Sequence, residues 1–452
     1  MKNPLTRKIL MILGLTLLLC IPLRMVGVTV WERSSAREAV KADIANSMAG
    51  AQWVGGPVLV LPYRERVFTR TRDKDGQESV AVSWAGRVKV WLPTTLEIRG
   101  DLANKPRYRG IYEAQLYQSR LKMHAAFDLE KQPAPEGENI FWGRPYLALG
   151  IGDVRGISEM PRGAFNGDAL VFEANPGLDA FGSGVHAPVT IAQGGHAEVA
   201  VDLELKGMEK LDFLPLGGSS TIILGSNWPH PSFQGRYLPD HSDIGKDGFS
   251  AKWRTTFLAT NIEGQLQDCV QSRNEAGCNA LRQNVMGVKL IKPVDVYLQS
   301  ERALKYGFLF VGLAFVVFFF FEILKSLRIH PMQYLLVGLA LTVFFLLVVA
   351  LAEHVKFGVA YAIAAGGCST LLAFYVSFVL KSFWRGMGFA SLMGVLFGVL
   401  YGLLQSEDYA LLMGSLLLFG VLAIVMILTR RLDWFSLGEA TPSQGALQGG
   451  KG

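Results

Sequence analysis

The sequence predicts a helical membrane protein with six transmembrane helices and a large β-rich domain outside the cytoplasm, and three observations carry that prediction. Between residues 304 and 429, a stretch of 126, only ten are Asp, Glu, Lys or Arg, and nearly all fall in short clusters between long apolar runs. Each run approaches the ~20 residues that cross ~30 Å of hydrocarbon. A further apolar run, residues 9–23, follows a basic N-terminal segment. The stretch 31–302 differs in kind, with frequent charges, glycines and prolines and with apolar residues alternating along it.

The N-terminal run resembles both a signal-peptide core and an anchor. No small-x-small cleavage site closes it, and the leucines before Cys20 lack the small residue of a lipoprotein box, so the sequence predicts an uncleaved anchor over residues 9–31. Arg24 can snorkel to the outer interface and Trp31 falls in the aromatic belt. Farther on, charges divide the chain into spans at about 304–324, 332–352, 357–380, 387–405 and 409–429. Lys325 and Arg328, Lys381 and Arg385, and Arg430 and Arg431 then share a face with Lys2, Arg7 and Lys8. Glu353, His354, Lys356, Glu407 and Asp408 fall on the other. The positive-inside rule makes the basic face cytoplasmic. The expected organisation is a cytoplasmic N-terminus (1–8), an anchor (9–31), an outer domain (32–303), a five-helix bundle (304–429) and a cytoplasmic tail (430–452) with a disordered end.

The net charge of +6 gives no basic stripe with interleaved aromatics, so it reads as a topology signal and not as a nucleic-acid surface. Cys20 and Cys368 lie in apolar spans, where a thiol acts as a small hydrophobe. Cys269 and Cys278 lie together in the polar region, outside the cytoplasm, where a disulfide clipping a loop is the sharper reading and two free thiols the plainer one. No Cys/His ligand spacing or nucleotide, protease or hydrolase motif stands in the chain, so no metal, cofactor or catalytic residue is assigned. Span centres are apolar, which argues against ion-coupled transport. In one span Gly394, Gly398 and Gly402 recur every four residues, a strip that lets a neighbouring backbone approach, either within the bundle or between copies in a homo-oligomer. Leu400 is expected to face lipid.

In the outer region, Ser35 and Glu38 have capping-box spacing and Ala36, Val40, Ile44 and Met48 recur every four residues, predicting a short helix over 34–50 that leaves the membrane and stops at Gly50. Beyond it the period becomes two: Val88, Val90, Leu92; Leu121, Met123, Ala125, Phe127; Val199, Val201, Leu203, Leu205. Asp75-Gly76 supplies a hairpin signal. No long amphipathic helix separates the strands, which predicts an antiparallel sandwich or a barrel-like domain, with two β lobes meeting near residues 145–160.

Three motifs carry a resemblance: Gly225-Ser-Asn-Trp-Pro-His-Pro-Ser-Phe233, Arg328-Ile-His-Pro-Met-Gln-Tyr-Leu-Leu-Val-Gly338 and Ile151-Gly-Asp-Val-Arg-Gly-Ile157. With them the chain resembles the CreD family of bacterial inner-membrane, cell-envelope integrity proteins, from its basic N-terminus through residue 434. The resemblance implies a Gram-negative inner membrane, a periplasmic outer domain and a role in envelope-stress response, and it brings no catalytic residue. The expected function is envelope maintenance by periplasmic binding, with the bilayer and an envelope protein or cell-wall component as partners. The competing reading is a membrane enzyme or transporter handling lipid or peptidoglycan precursors. Asn227, Trp228 and His230 are the first candidate recognition surface, because two prolines stiffen a loop bearing an indole and an imidazole; a rigid turn with Trp228 in the core is the plainer reading. Asp153 and Arg155 are a second candidate, or an ion pair.

Overall fold

A computed structural model of the chain describes residues 4–72, 78–130, 134–191, 195–272, 275–292, 295–324, 329–405 and 410–430. The Asp75-Gly76 turn and the charges at 325, 328, 407, 408 and 431 lie outside these residues. The chain forms two compact units, Arg37–Pro293 on one hand and Met1–Ala36 with Val294–Gly452 on the other.

The first helix, α1 (Pro4–Ser47), is continuous. An anchor followed by a separate helix was expected; instead the run Glu32, Arg33, Ser34, Ser35, Ala36 propagates the helix, because good helix formers surround the serines and neither Gly nor Pro interrupts them. Ser35 is therefore an interior position and no cap.

The Arg37–Pro293 unit is built on two mixed sheets. Nine strands form the first, in the order Glu173–Ala174, Gly184–Pro188, Tyr146–Ile151, β1 (Gln52–Arg72), Lys210–Leu214, Met286–Leu290, Pro231–Gly235, with β2 (Glu78–Trp91) and Ile140–Trp142 also on β1. The second has eight: Asp168–Ala169, Arg162–Phe165, His196–Met208, Leu116–Asp128, β3 (Thr95–Asn104), Ser219–Ser226, Gly248–Thr256, His241–Gly245. The alternating residues predicted to face a core do so: Leu121, Met123, Val199, Val201, Leu203 and Leu205 pack with Leu59, Leu61 and Leu147 of the other sheet. Two expectations are corrected. The sheets are not purely antiparallel, since β1 runs parallel to Lys210–Leu214 and β3 parallel to Ser219–Ser226. Nor do two lobes meet at 145–160, because each sheet takes strands from both sides of that point: Tyr146–Ile151 pairs with β1, and His196–Met208 with Leu116–Asp128. Parallel pairs need a long connection, and alternation within a strand says nothing about which distant strand lies beside it.

A layer of short helices covers the back of the nine-stranded sheet. After α2 (Phe257–Thr260), α3 (Ile262–Ser272) and α4 (Glu275–Gln283) place Ile262, Leu266, Cys269 and Leu281 against Val58, Val60, Ala148 and Leu214. That layer explains why Val58, Leu59, Val60 and Leu61 are all fully buried: this stretch of β1 has a core on both faces. Cys269 and Cys278 form a disulfide, Cα atoms 4.6 Å apart, joining α3 to α4 in that core instead of clipping a loop.

In the other unit α1 is followed by α5 (Val296–Leu324), α6 (Pro331–Ala352), α7 (Phe357–Val379), α8 (Phe383–Gln405) and α9 (Ala410–Thr429). Five of these, α1 and α5 to α8, are long and apolar enough to cross a membrane; α9 carries a shorter apolar stretch, Leu412–Ile427. Asp295 starts α5 early by accepting from the Tyr297 and Leu298 amides at 2.9 and 3.3 Å. His330, Pro331 and Gln333 make a capping box with proline at the first turn of α6, which accounts for the Ile-His-Pro-Met-Gln part of the second motif. Leu19, Leu23 and Val26 of α1 are buried with Phe315, Val337 and Leu341. Glu322, 4% exposed, is paired with Lys8 and also accepts from the Tyr334 hydroxyl at 2.9 Å and the Ile329 amide at 3.0 Å. A carboxylate so enclosed is tolerated because its lone pairs are occupied.

Of the two readings of the glycine strip, packing within the bundle is not what the described residues show. A methyl group added at Gly394 or Gly398 meets nothing within 4 Å among the described residues, and at Gly402 only Met413 at 3.7 Å, so the strip does not serve packing inside the described bundle. Leu400 is 3% exposed and belongs to the core, not to the lipid face. Close approaches fall at other glycines, at Gly386 against Ser377 and at Gly338, where an added carbon would strike Leu19 of α1 and lie 2.9 Å from Phe315. Gly338→Leu should therefore lower the thermal stability of the protein in detergent by about 1–3 kcal/mol or more, the range for overpacking. Gly398→Leu should leave it within ~0.5 kcal/mol of the parent. Thermal unfolding followed by dye accessibility distinguishes the two, and equal effects would contradict this packing.

Candidate functional site

Two of the three motifs form corners at which the chain changes direction, and a cleft on the eight-stranded sheet is lined by residues outside both motifs.

At the first corner, Asp153 caps the single 3-10 turn Val154–Gly156 by accepting from the Arg155 amide at 3.1 Å. The Arg155 guanidinium returns to the same carboxylate in a fork, 2.9 Å to Oδ1 and 2.6 Å to Oδ2, and donates from its third nitrogen to the Asn46 carbonyl at 2.5 Å. Asn46 stands in the last turn of α1, whose carbonyls lack helical partners and carry the negative end of the helix dipole, so a guanidinium there satisfies both. The Arg155 hydrogen bonds hold the Asp153 carboxyl below the usual carboxylate range. Beside them Gln52, 1% exposed, accepts from the Asp153 amide at 2.9 Å and donates to the carbonyls of Asp153 and Lys206 at 3.0 and 2.9 Å. Gly156 must be glycine: an added carbon would collide with the Gln52 amide and the Lys206 carbonyl. Lys41 to Glu209, 2.7 Å, and the packing of Ile44 on Ala114 and Leu116 complete the attachment of the end of α1 to the β sheets.

At the second corner, residues 227–230 carry the chain from Ser219–Ser226 in one sheet to Pro231–Gly235 in the other. Asn227 Oδ1 accepts from the Asn104 amide at 2.8 Å, holding the end of β3. The Trp228 indole N–H donates to the carbonyls of His230 and Ile291 at 3.1 and 2.9 Å, and its ring packs on the core edge-on to His230, centroids 5.9 Å apart. Trp228 is thus committed to the corner, while Asn227 and the His230 side chain remain exposed. The predicted recognition residues fall at these two corners, which share no hydrogen bond among the described residues.

The cleft, about 270 Å³, is lined by Arg120, Lys122, Glu159, Arg162, Asp202 and Glu204. Strand register sets Arg120 against Glu204 and Lys122 against Asp202, and Arg120 Nε reaches Glu204 at 2.9 Å. The outward alternation of charges on both strands was visible in the sequence; their pairing across separations of 80 and 84 residues was not. Such an open, mixed-charge surface suits a polar, multiply charged ligand or protein surface.

A bundle of long apolar helices and a layered mixed-β domain in one chain define a multi-span membrane protein with a large polar domain. The chain belongs to the CreD family: the family described as "Inner membrane protein CreD" matches residues 4–435. The inner membrane protein CreD of Escherichia coli (strain K12) is 35% identical over 438 residues, covering 96% of this chain and 95% of that protein. Among solved structures, the M1 zinc metallopeptidase from Deinococcus radiodurans aligns over 36% of this chain and 38% of that one at 8% identity, with a TM-score of 0.19, which carries no structural argument.

The first corner yields two tests. Gly156→Ala should destabilise the β domain by about 1–3 kcal/mol, measured as earlier cleavage in a protease-resistance melt of the full chain, while Gly86→Ala, where nothing lies within 4 Å, should not. Because the native Asp153 carboxyl titrates below its unfolded value, its contribution is complete above about pH 4 and is lost as pH falls through the lower native value. Asp153→Asn should therefore be less stable than the parent at neutral pH, and the difference should shrink below about pH 4; a difference independent of pH would exclude this assignment.

Proposed function

We propose that this inner-membrane protein supports cell-envelope integrity under envelope stress, without catalysis, by binding another envelope component through a periplasmic β domain. The cleft on the eight-stranded sheet carries the reading: Arg120, Lys122 and Arg162 face Glu159, Asp202 and Glu204 on an open surface, a composition suited to reversible polar recognition. In this reading α9 is the sixth span, both termini are cytoplasmic, and residues 32–303 are periplasmic, as the placement of basic clusters requires. The mature chain keeps its anchor, in keeping with the burial of Leu19 and Leu23 in the bundle.

A photo-crosslinking residue at Met160, which is 74% exposed beside the cleft, should yield a discrete adduct with an envelope component in intact cells. Arg120→Glu with Arg162→Glu should reduce that adduct at least ~tenfold, the scale set by removing charge pairs at an interface. Periplasmic reporters fused after Gly50 and Lys356 should be active and those after Arg385 inactive. An adduct unaffected by charge reversal, or an active cytoplasmic reporter after Gly50, would reject the reading.

A further inference from the structure

β1 and β2 remain paired from Leu59↔Trp91 to Arg72↔Glu78, the whole length of β2, and neither core described above reaches the outer half of this hairpin. Strand alternation sorts that half into two unlike faces. On one lie the cross-strand pairs Arg66↔Trp84 and Phe68↔Val82, with Arg64 opposite Gly86 on β2 and opposite Phe141 on the neighbouring strand. On the other lie Glu65↔Ala85, Val67↔Ser83 and Thr69↔Ala81. The first face is apolar and bare: Phe68, Val82, Trp84 and Phe141 are 51, 53, 51 and 49% exposed. Contiguous apolar exposure of this kind marks an interaction surface.

Beside the Trp84–Phe141 pair the charged residues on this face are Arg64 and Arg66. The Arg66 guanidinium lies 5.0 Å from the Trp84 ring centre and 5.9 Å from that of Phe141, and the two rings meet edge-on at 5.3 Å. Arg66 is thereby held as a cation between two half-exposed aromatics. The nearby carboxylate of Glu65 points to the opposite face, where it pairs with Arg87 at 2.7 Å, and neither Arg64 nor Arg66 has an ion pair among the described residues. Tryptophan, phenylalanine, aliphatics and unpaired arginines on one exposed face match the boundary between acyl chains and phosphates, where the rings reach the interface and the guanidinium groups meet anions. The chain is anchored in a bilayer, so such a surface is present at high effective concentration.

We propose that this face of the β1–β2 hairpin docks on the anionic headgroup surface of the bilayer in which the protein is anchored, with Trp84, Phe68, Val82 and Phe141 entering the interface and Arg64 and Arg66 meeting lipid phosphates. Neighbouring residues supply the control, since Val82 and Ser83 point to opposite faces. Full-length protein carrying Cys20→Ala and Cys368→Ala, the native disulfide kept, would receive either Val82→Cys or Ser83→Cys and an environment-sensitive fluorophore. It would be reconstituted in phosphatidylcholine vesicles with or without phosphatidylglycerol, containing phospholipids brominated on their acyl chains. The Val82 probe should be quenched several-fold more than the Ser83 probe in the anionic vesicles. At about fivefold per basic residue near an anionic surface, Arg64→Glu with Arg66→Glu should lower that quenching by roughly tenfold or more, as should omission of phosphatidylglycerol. Retention of the parent's thermal unfolding in detergent would show that the double variant is folded, both substitutions being on the exposed hairpin. Equal quenching at the two positions, or none at Val82, would overturn the proposal. Two further results would also overturn it: a crosslink between Val82→Cys residues of two copies, assigning the face to self-association, and quenching only by brominated lipid in separately added vesicles, assigning it to a second membrane.

Discussion

Gln52 sits where three segments of the β domain converge, and its three hydrogen bonds are the condition on which the chain's crossings there depend. At 1% exposure its amide has no water to turn to, so the Asp153 turn and the Lys206 carbonyl must be at their observed places or a buried polar group goes unpaired. The crossing next to it is built by the same rule. His196–Met208 belongs to one sheet and Lys210–Leu214 to the other, and the chain turns between them on Glu209, whose φ of 60° is left-handed. Tyr117 spans the turn by donating to the Lys210 carbonyl at 2.7 Å, and Ser119 donates to Leu205 at 2.9 Å. Burial pushes the Tyr117 phenol well above its ordinary range, which keeps it a donor at any physiological pH.

The helical unit answers the same demand with different materials. Helices satisfy their own backbone, so only side-chain polarity needs placement, and it is concentrated where Glu322 gathers Lys8, Tyr334 and the Ile329 amide. Farther along the bundle the interior is aromatic: Phe344 lies 4.6 Å from Phe397 and 5.4 Å from Tyr361, whose hydroxyl donates to the Phe397 carbonyl at 2.8 Å. With apolar side chains on every face of these helices, hydropathy alone cannot tell the packed side from the outer one.

The unusual motifs acquire a physical meaning from these crossings. Asp-Val-Arg-Gly caps a turn, forks a carboxylate and leaves room for an amide; Asn-Trp-Pro-His-Pro moves the chain between sheets and pins the corner with an indole. Rare residues at such corners are specific because each must meet a particular backbone group, and this accounts for a recognition motif and a structural joint looking alike in a sequence. The surfaces we propose for partners are built instead from ordinary alternating strands, the charged cleft around Arg120 and the aromatic face of the hairpin.

What the sequence determined by itself was everything governed by local period and solvent: the apolar runs that became α1 and α5 to α8, the two-residue alternation of the strands, the caps at His330 and the identity of the family. Tertiary structure decided whatever depends on residues distant along the chain. It set β3 beside Ser219–Ser226 in parallel, packed α3 and α4 against the back of the nine-stranded sheet, and turned Gly338, not Gly398, toward a neighbour. Periodicity identifies a face as apolar or polar but contains no information about what covers it; that information exists only once another segment, often more than 80 residues away, has come to lie against it.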